Sequence, residues 1–145
     1  MSDPLDLFSP ATRAWFVETL GQPTPPQMQG WPAIQRGEHT LIFAPTGSGK
    51  TLTAFLWAID RLYAEASVTG ETSNVKRETS IELVYVSPLK ALNNDIERNL
   101  QVPLTGIRAV AARLGQHLPT LEVAVRTGDT PAPNAPRCSK RRRTY

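Results

Sequence analysis

Eight consecutive residues, Ala44, Pro45, Thr46, Gly47, Ser48, Gly49, Lys50 and Thr51, carry the chemistry most open to reading in this sequence. They match the phosphate-cradling pattern G-x-x-x-x-G-K-[ST] at every fixed position but the first, where Ala44 stands for Gly. Gly47 and Gly49 open backbone conformations that a Cβ would close. Successive N–H groups can then turn inward onto phosphate oxygens. Lys50 offers a cation to the β- and γ-phosphates of a nucleoside triphosphate such as ATP. The Thr51 hydroxyl is an oxygen ligand suited to Mg²⁺, which bridges those phosphates. A helix starting near Gly49 would add the positive end of its dipole. The bland alternative is a coincidental Gly-rich turn, and the strand-turn-helix setting argues against it.

Those residues need elements to hold them. His39 to Ala44 (HTLIFA) is a short, nearly all-apolar run, expected of a strand covered on both faces. A helix is predicted from about Gly49 to Ala64, followed by a polar loop over 64–80. Ile81 to Ser87 (IELVYVS) and Leu121 to Arg126 (LEVAVR) read as further strands. Ser87-Pro88 caps a helix to about Leu100, and 103–118 has helical spacing of its own. Upstream, Ser9-Pro10 opens a helix that Gly21 ends, with Trp15, Phe16, Thr19 and Leu20 on one face. Thr24-Pro25 opens another, running to Gln35 with Gly37 as its stop and Pro32 set to bend or interrupt it. Strands alternating with helices predict an α/β fold with a parallel sheet.

The flanks narrow the reading. Pro23-Thr24-Pro25-Pro26-Gln27 precedes the loop, Ser87-Pro88-Leu89-Lys90-Ala91-Leu92 follows it, and Arg126-Thr127-Gly128-Asp129-Thr130 comes later. In this order they resemble the Q motif, motif I, motif Ia and motif Ib region of superfamily 2 DEAD/DEAH-type helicases, in which Ala at the first loop position is tolerated. APTGSGKTLTAFL, YVSPLKALNNDIERNL and RTGDTPAP are similar to the large helicase-related (Lhr) family of DNA helicases, over about residues 8 to 133. The resemblance implies a RecA-like P-loop NTPase fold, the first motor domain only and incomplete, with ATP and Mg²⁺ as cofactors. It implies that Gln27 reads adenine, with Phe8 the candidate to stack on the base by spacing and Trp15 and Phe16 core residues. It further implies that Ser87, Pro88, Leu89 and Lys90, and Thr127, Gly128, Asp129 and Thr130, touch single-stranded DNA, RNA being possible. Taken alone, Gln27 would be a surface residue, Ser87-Pro88 a capping pair and Thr127 to Thr130 a plain turn.

Three regions follow: 1–37, N-terminal helices with the Q-motif-like segment; 38–130, a partial ATP-binding domain; and 131–145, a basic tail expected to be disordered and non-native. The formal charge of +3 is concentrated in that tail. Arg137, Lys140, Arg141, Arg142 and Arg143 lie there, leaving 11 basic against 13 acidic side chains over residues 1–136, a net of −2. Bulk charge therefore gives no case for nucleic acid in the body of the chain. The lone Cys138 excludes an internal disulfide and fits a reducing compartment. No apolar run reaches the roughly 18 residues of a membrane span, so a cytoplasmic protein is expected. No adjacent Asp-Glu pair follows the loop. The resemblance therefore leads us to expect that this chain lacks the Mg²⁺-holding and water-activating acids of such motors, and the second motor domain with its arginine finger. A small P-loop phosphotransferase and a non-catalytic nucleotide-holding module stay open as alternatives. The resemblance also places the P-loop strand between strands from later in such a fold, so the chain alone is expected to be marginally folded.

Overall fold

The computed structural model describes residues 3–69, 81–86 and 92–127. A 3-10 turn at Pro4–Leu7 is followed by α1 (Pro10–Leu20), α2 (Pro25–Gln35), α3 (Lys50–Thr69) and α4 (Leu92–Arg113). Local chemistry sets their ends. The Ser9 side chain accepts from the Thr12 amide at 3.4 Å to cap α1, and Gly21 closes it with φ +80. Thr24 caps α2, and Gly37, at φ +74, follows its last turn. Pro32 sits inside α2 without ending it.

Two helix readings need correction. The helix α3 runs past Ala64 to Thr69, because 64–69 holds no breaker and polarity alone does not stop a helix. The two helices expected over 88–100 and 103–118 are one, α4, with the fully buried Pro103 inside it. Proline removes one amide bond but can be held in place by packing. The remainder of the 64–80 loop, the Ser87-Pro88 cap, and the tail with Cys138 lie outside the described residues.

The parallel sheet is the larger correction: among the described residues there is no strand. A strand has no internal hydrogen bonds and exists only by pairing. The segments 39–44, 81–86 and 121–126 do not pair with one another. Leu41, Phe43 and Val86 face solvent, 93%, 100% and 83% exposed, whereas Leu121 and Val123 are partly buried against the core and Tyr85 meets the Phe55 ring at 5.1 Å.

The core is built by helices. α1 packs on α4 and α2 on α3, burying Trp15, Phe16, Trp31, Leu56, Ile59, Ile107 and Ala111. On α1 the buried face is Ala11, Thr12, Trp15 and Phe16; Leu20 is exposed, so the expected stripe is shifted by one turn. The α1–α4 seam closes where Gly106 meets the Trp15 indole: a Cβ on Gly106 would fall 2.1 Å from Trp15 Nε1. Between α3 and α4, the buried Tyr63 hydroxyl donates to the Leu104 carbonyl at 3.0 Å. Burial pushes its pKa above the ordinary value, with Arg108 pulling weakly the other way.

Candidate nucleotide-binding site

The loop 44–49 leads directly into α3, whose first-turn amides have no partner within the helix. Gly47 and Gly49 are both left-handed, with φ +78 and +83. At Gly47 a Cβ would meet nothing within 4 Å, so conformation alone calls for glycine there. At Gly49 space matters too, because a Cβ would lie 2.7 Å from Gln27 Nε2. The turn is closed by Ser48, whose hydroxyl donates to the Pro45 carbonyl at 2.7 Å. Thr53 ties the loop to α3 by donating from its amide and its hydroxyl to the Gly49 carbonyl, each at 3.0 Å.

Lys50 folds back over the loop. Its ammonium donates to the Ala44 carbonyl, and to the Pro45 carbonyl at 2.5 Å. It thus sits between neutral acceptors of its own loop, which a phosphate would outcompete through charge-assisted bonds. The Thr51 side chain is exposed at the start of α3.

The segment before the loop is seated directly on it. Thr24 donates from its hydroxyl to the Ser48 carbonyl at 2.8 Å. Gln27, only 3% exposed, accepts from the Thr24 amide at 2.8 Å through Oε1 and rests its Nε2 against Gly49. One acceptor site on Oε1 and the amide donors of Nε2 remain in its repertoire. One turn on, Trp31 is wholly buried and donates from its indole to the Thr53 carbonyl at 3.1 Å, pinning α2 to α3. Sequence reasoning missed Thr24, Trp31 and Thr53 as supports of the loop. The available signal is the closeness of Thr24 to Gln27; Thr24 reads from sequence as a helix cap, and its bond to Ser48 does not show there.

The stacking role expected of Phe8 is overturned. Phe8 is buried edge-on between Trp31 and Trp57, with ring centroids 4.8 and 5.9 Å away, so neither face is open to a base. Spacing could not distinguish a core aromatic from a stacking one. Trp15 and Phe16 are core residues, as expected. Of the other predicted contacts, Ser87, Pro88, Leu89, Lys90, Gly128, Asp129 and Thr130 lie outside the described residues. Thr127 is the last described one and is half-buried.

Residues 24–127, which run from the Thr24 that holds Ser48 to that same Thr127, match the model of the DEAD/DEAH box helicases. The chain belongs to the DEAD/DEAH box helicase family. Among curated DEAD/DEAH box relatives, it is 53% identical over 130 residues to the Lhr helicase/probable uracil glycosylase of Mycolicibacterium smegmatis, covering 90% of this chain and 8% of that protein. It is 52% identical over 127 residues to the Lhr helicase/uracil glycosylase of Escherichia coli K12, covering 88% of this chain and 8% of that protein. A solved structure, Mycobacterium smegmatis helicase Lhr bound to ssDNA and AMP-PNP, aligns with a TM-score of 0.77 at 51% identity, covering 91% of this chain and 15% of that one. The chain thus spans under a tenth of the length of these two curated relatives. No helix among the described residues is long and apolar enough to cross a membrane.

Proposed function

We propose that this chain grips ATP, as the nucleotide-holding front of an Lhr-type DNA helicase motor. The observation that carries the reading is the loop itself. It has two left-handed glycines, a lysine whose ammonium donates to loop carbonyls, and a helix start directly beneath. The donor types fit a polyphosphate: loop amides, one ammonium, and a helix N-terminus. The ATP analogue and single-stranded DNA bound to the related helicase support it.

Lys50 would neutralise the β- and γ-phosphates, and Gln27 would read the adenine edge with its remaining donor and acceptor. Bound Mg²⁺ would supply charge neutralisation across the phosphates, and Thr51 is the residue to ligate it. Ser87, Pro88, Leu89 and Lys90, with Thr127, Gly128, Asp129 and Thr130, would touch the single strand. Ser87, by its hydroxyl, and Lys90, by its positive charge, suit phosphate.

Titration with a fluorescent ATP analogue tests the central claim. Lys50→Ala removes charge-assisted bonds worth roughly 1.5–3 kcal/mol, so affinity should fall by about one to two orders of magnitude. An unchanged affinity would end the proposal.

A further inference from the structure

Asp60 is a buried carboxylate that the nucleotide site does not touch. It lies ten residues into α3, about 15 Å along the axis from Lys50, and is 6% exposed. Its oxygens accept from the Ser9 hydroxyl at 2.6 Å and from the Ser9 amide at 3.2 Å. Burying a carboxylate is costly unless it is well hydrogen-bonded, so this junction fixes where the chain enters α1. The next residue back is Phe8, held edge-on against Trp31 at 4.8 Å. Phe16, from α1, meets Trp31 from another side at 5.5 Å. Trp31 is locked to α3 by its bond to the Thr53 carbonyl and stands one helical turn after Gln27, on the same side of α2. The other end of that turn is Thr24 and Gln27, lying on Ser48 and Gly49.

We propose that Asp60 is a positioning residue for adenine recognition: by holding Ser9 it seats Phe8 and Phe16 against Trp31, and so sets where α2 presents Gln27 over the P-loop. The inference rests on the proposed reading of adenine by Gln27. The phosphate-binding groups sit on the loop and the first turn of α3, where Ser48 and Thr53 also bond back within the loop and helix, to Pro45 and Gly49. Loss of Asp60 therefore loosens the grip on the base and leaves the grip on the phosphates.

The test measures dissociation constants of the 145-residue chain for AMP-PNP, GMP-PNP and tripolyphosphate, with helical circular dichroism of each variant as a check on folding. Asp60→Ala is expected to weaken AMP-PNP about fivefold or more and to shift tripolyphosphate by less than twofold, so that preference for adenine over guanine shrinks. Asp60→Asn, which keeps an acceptor for Ser9, should return AMP-PNP to within about twofold of the unaltered chain. Adenine preference intact in Asp60→Ala, or AMP-PNP and tripolyphosphate weakened in parallel, would overturn the inference. If Asp60→Ala does not fold, Ser9→Ala, which keeps the backbone donor, carries the same readout: a two- to threefold loss confined to AMP-PNP supports the inference, and no loss defeats it. Gln27→Ala separates the two claims. Adenine preference that survives in Gln27→Ala overturns the underlying reading and the inference with it. Preference lost in Gln27→Ala but kept in Asp60→Ala leaves the reading and removes the inference alone.

Discussion

Lys50 spends its ammonium on two carbonyl oxygens of its own loop, Ala44 and Pro45, so a ligand must take that cation over rather than meet it waiting. The glycines on either side of Ser48 can be ranked by the same physical reasoning. Gly47→Ala forces a Cβ into a left-handed conformation, costing about 1–2 kcal/mol, with empty space around it. Gly49→Ala carries that cost and also drives Gln27 Nε2 from its place 2.7 Å away. In the same nucleotide titration, Gly49→Ala is expected to lose more affinity than Gly47→Ala, by about threefold or more. Equal losses would show that the Gln27 contact does nothing for binding. At this scale the loop was legible because its pattern is contiguous. The partner of the Thr24 hydroxyl was not, since it comes 24 residues later. Nor was the fate of Phe8, which depends on Trp31 and Trp57 converging from two other helices.

Helix ends written in capping chemistry were legible: Ser9, Gly21, Thr24 and Gly37 all lie at boundaries of α1 and α2. What failed was anything decided by packing at a distance. Pro103 looked like a boundary, yet it is buried within α4. The three apolar runs looked like strands, yet a strand needs a neighbour that its own residues do not specify. The α1–α4 seam gives a sharp test of packing against propensity. Gly→Ala inside a helix normally gains up to about 1 kcal/mol. At Gly106 the new Cβ would stand 2.1 Å from the buried, rigid Trp15 indole, and overpacking of this kind costs about 1–3 kcal/mol. Gly106→Ala should therefore lower the denaturation midpoint, and a raised midpoint would mean that the seam is looser than its geometry. The α3–α4 contact adds a pH dependence. Because the Tyr63 pKa is raised in the fold, the stability of its neutral phenol is whole below its ordinary value of 10.0 and is lost as pH climbs beyond it. Tyr63→Phe should cost about 1 kcal/mol at neutral pH through the lost bond to Leu104. Its denaturation midpoint should also fall less steeply above pH 10 than that of the unaltered chain; parallel curves would exclude Tyr63 as the cause.

Taken whole, the described residues combine a packed helical core with apolar segments laid open to water. Trp31, Leu56 and Ile107 have almost no exposed surface, while Leu41, Phe43 and Val86 have almost all of theirs. Amide exchange should divide the same way, with slow exchange on α3 and α4 around Leu56 and Ile107, and near-unprotected exchange across Leu41 to Phe43. Slow exchange across 41–43 would show a paired strand there. For a polypeptide of this sequence, which has no adjacent Asp-Glu pair, phosphate release with saturating single-stranded DNA is expected to stay at background. Turnover that Lys50→Ala abolishes would reveal an acid still unassigned. The seam between α1 and α4 also has a consequence in time. Trp15 needs Gly106, and Glu18 pairs with Arg113 at 2.6 Å, 95 residues further along. At the usual pace of about 5–20 residues per second, a ribosome needs about 5–20 s to travel from one to the other. Throughout that interval Trp15 and Glu18 have been made while Gly106 and Arg113 have not, so α1 can meet Trp31 and Asp60 well before its seam with α4 closes.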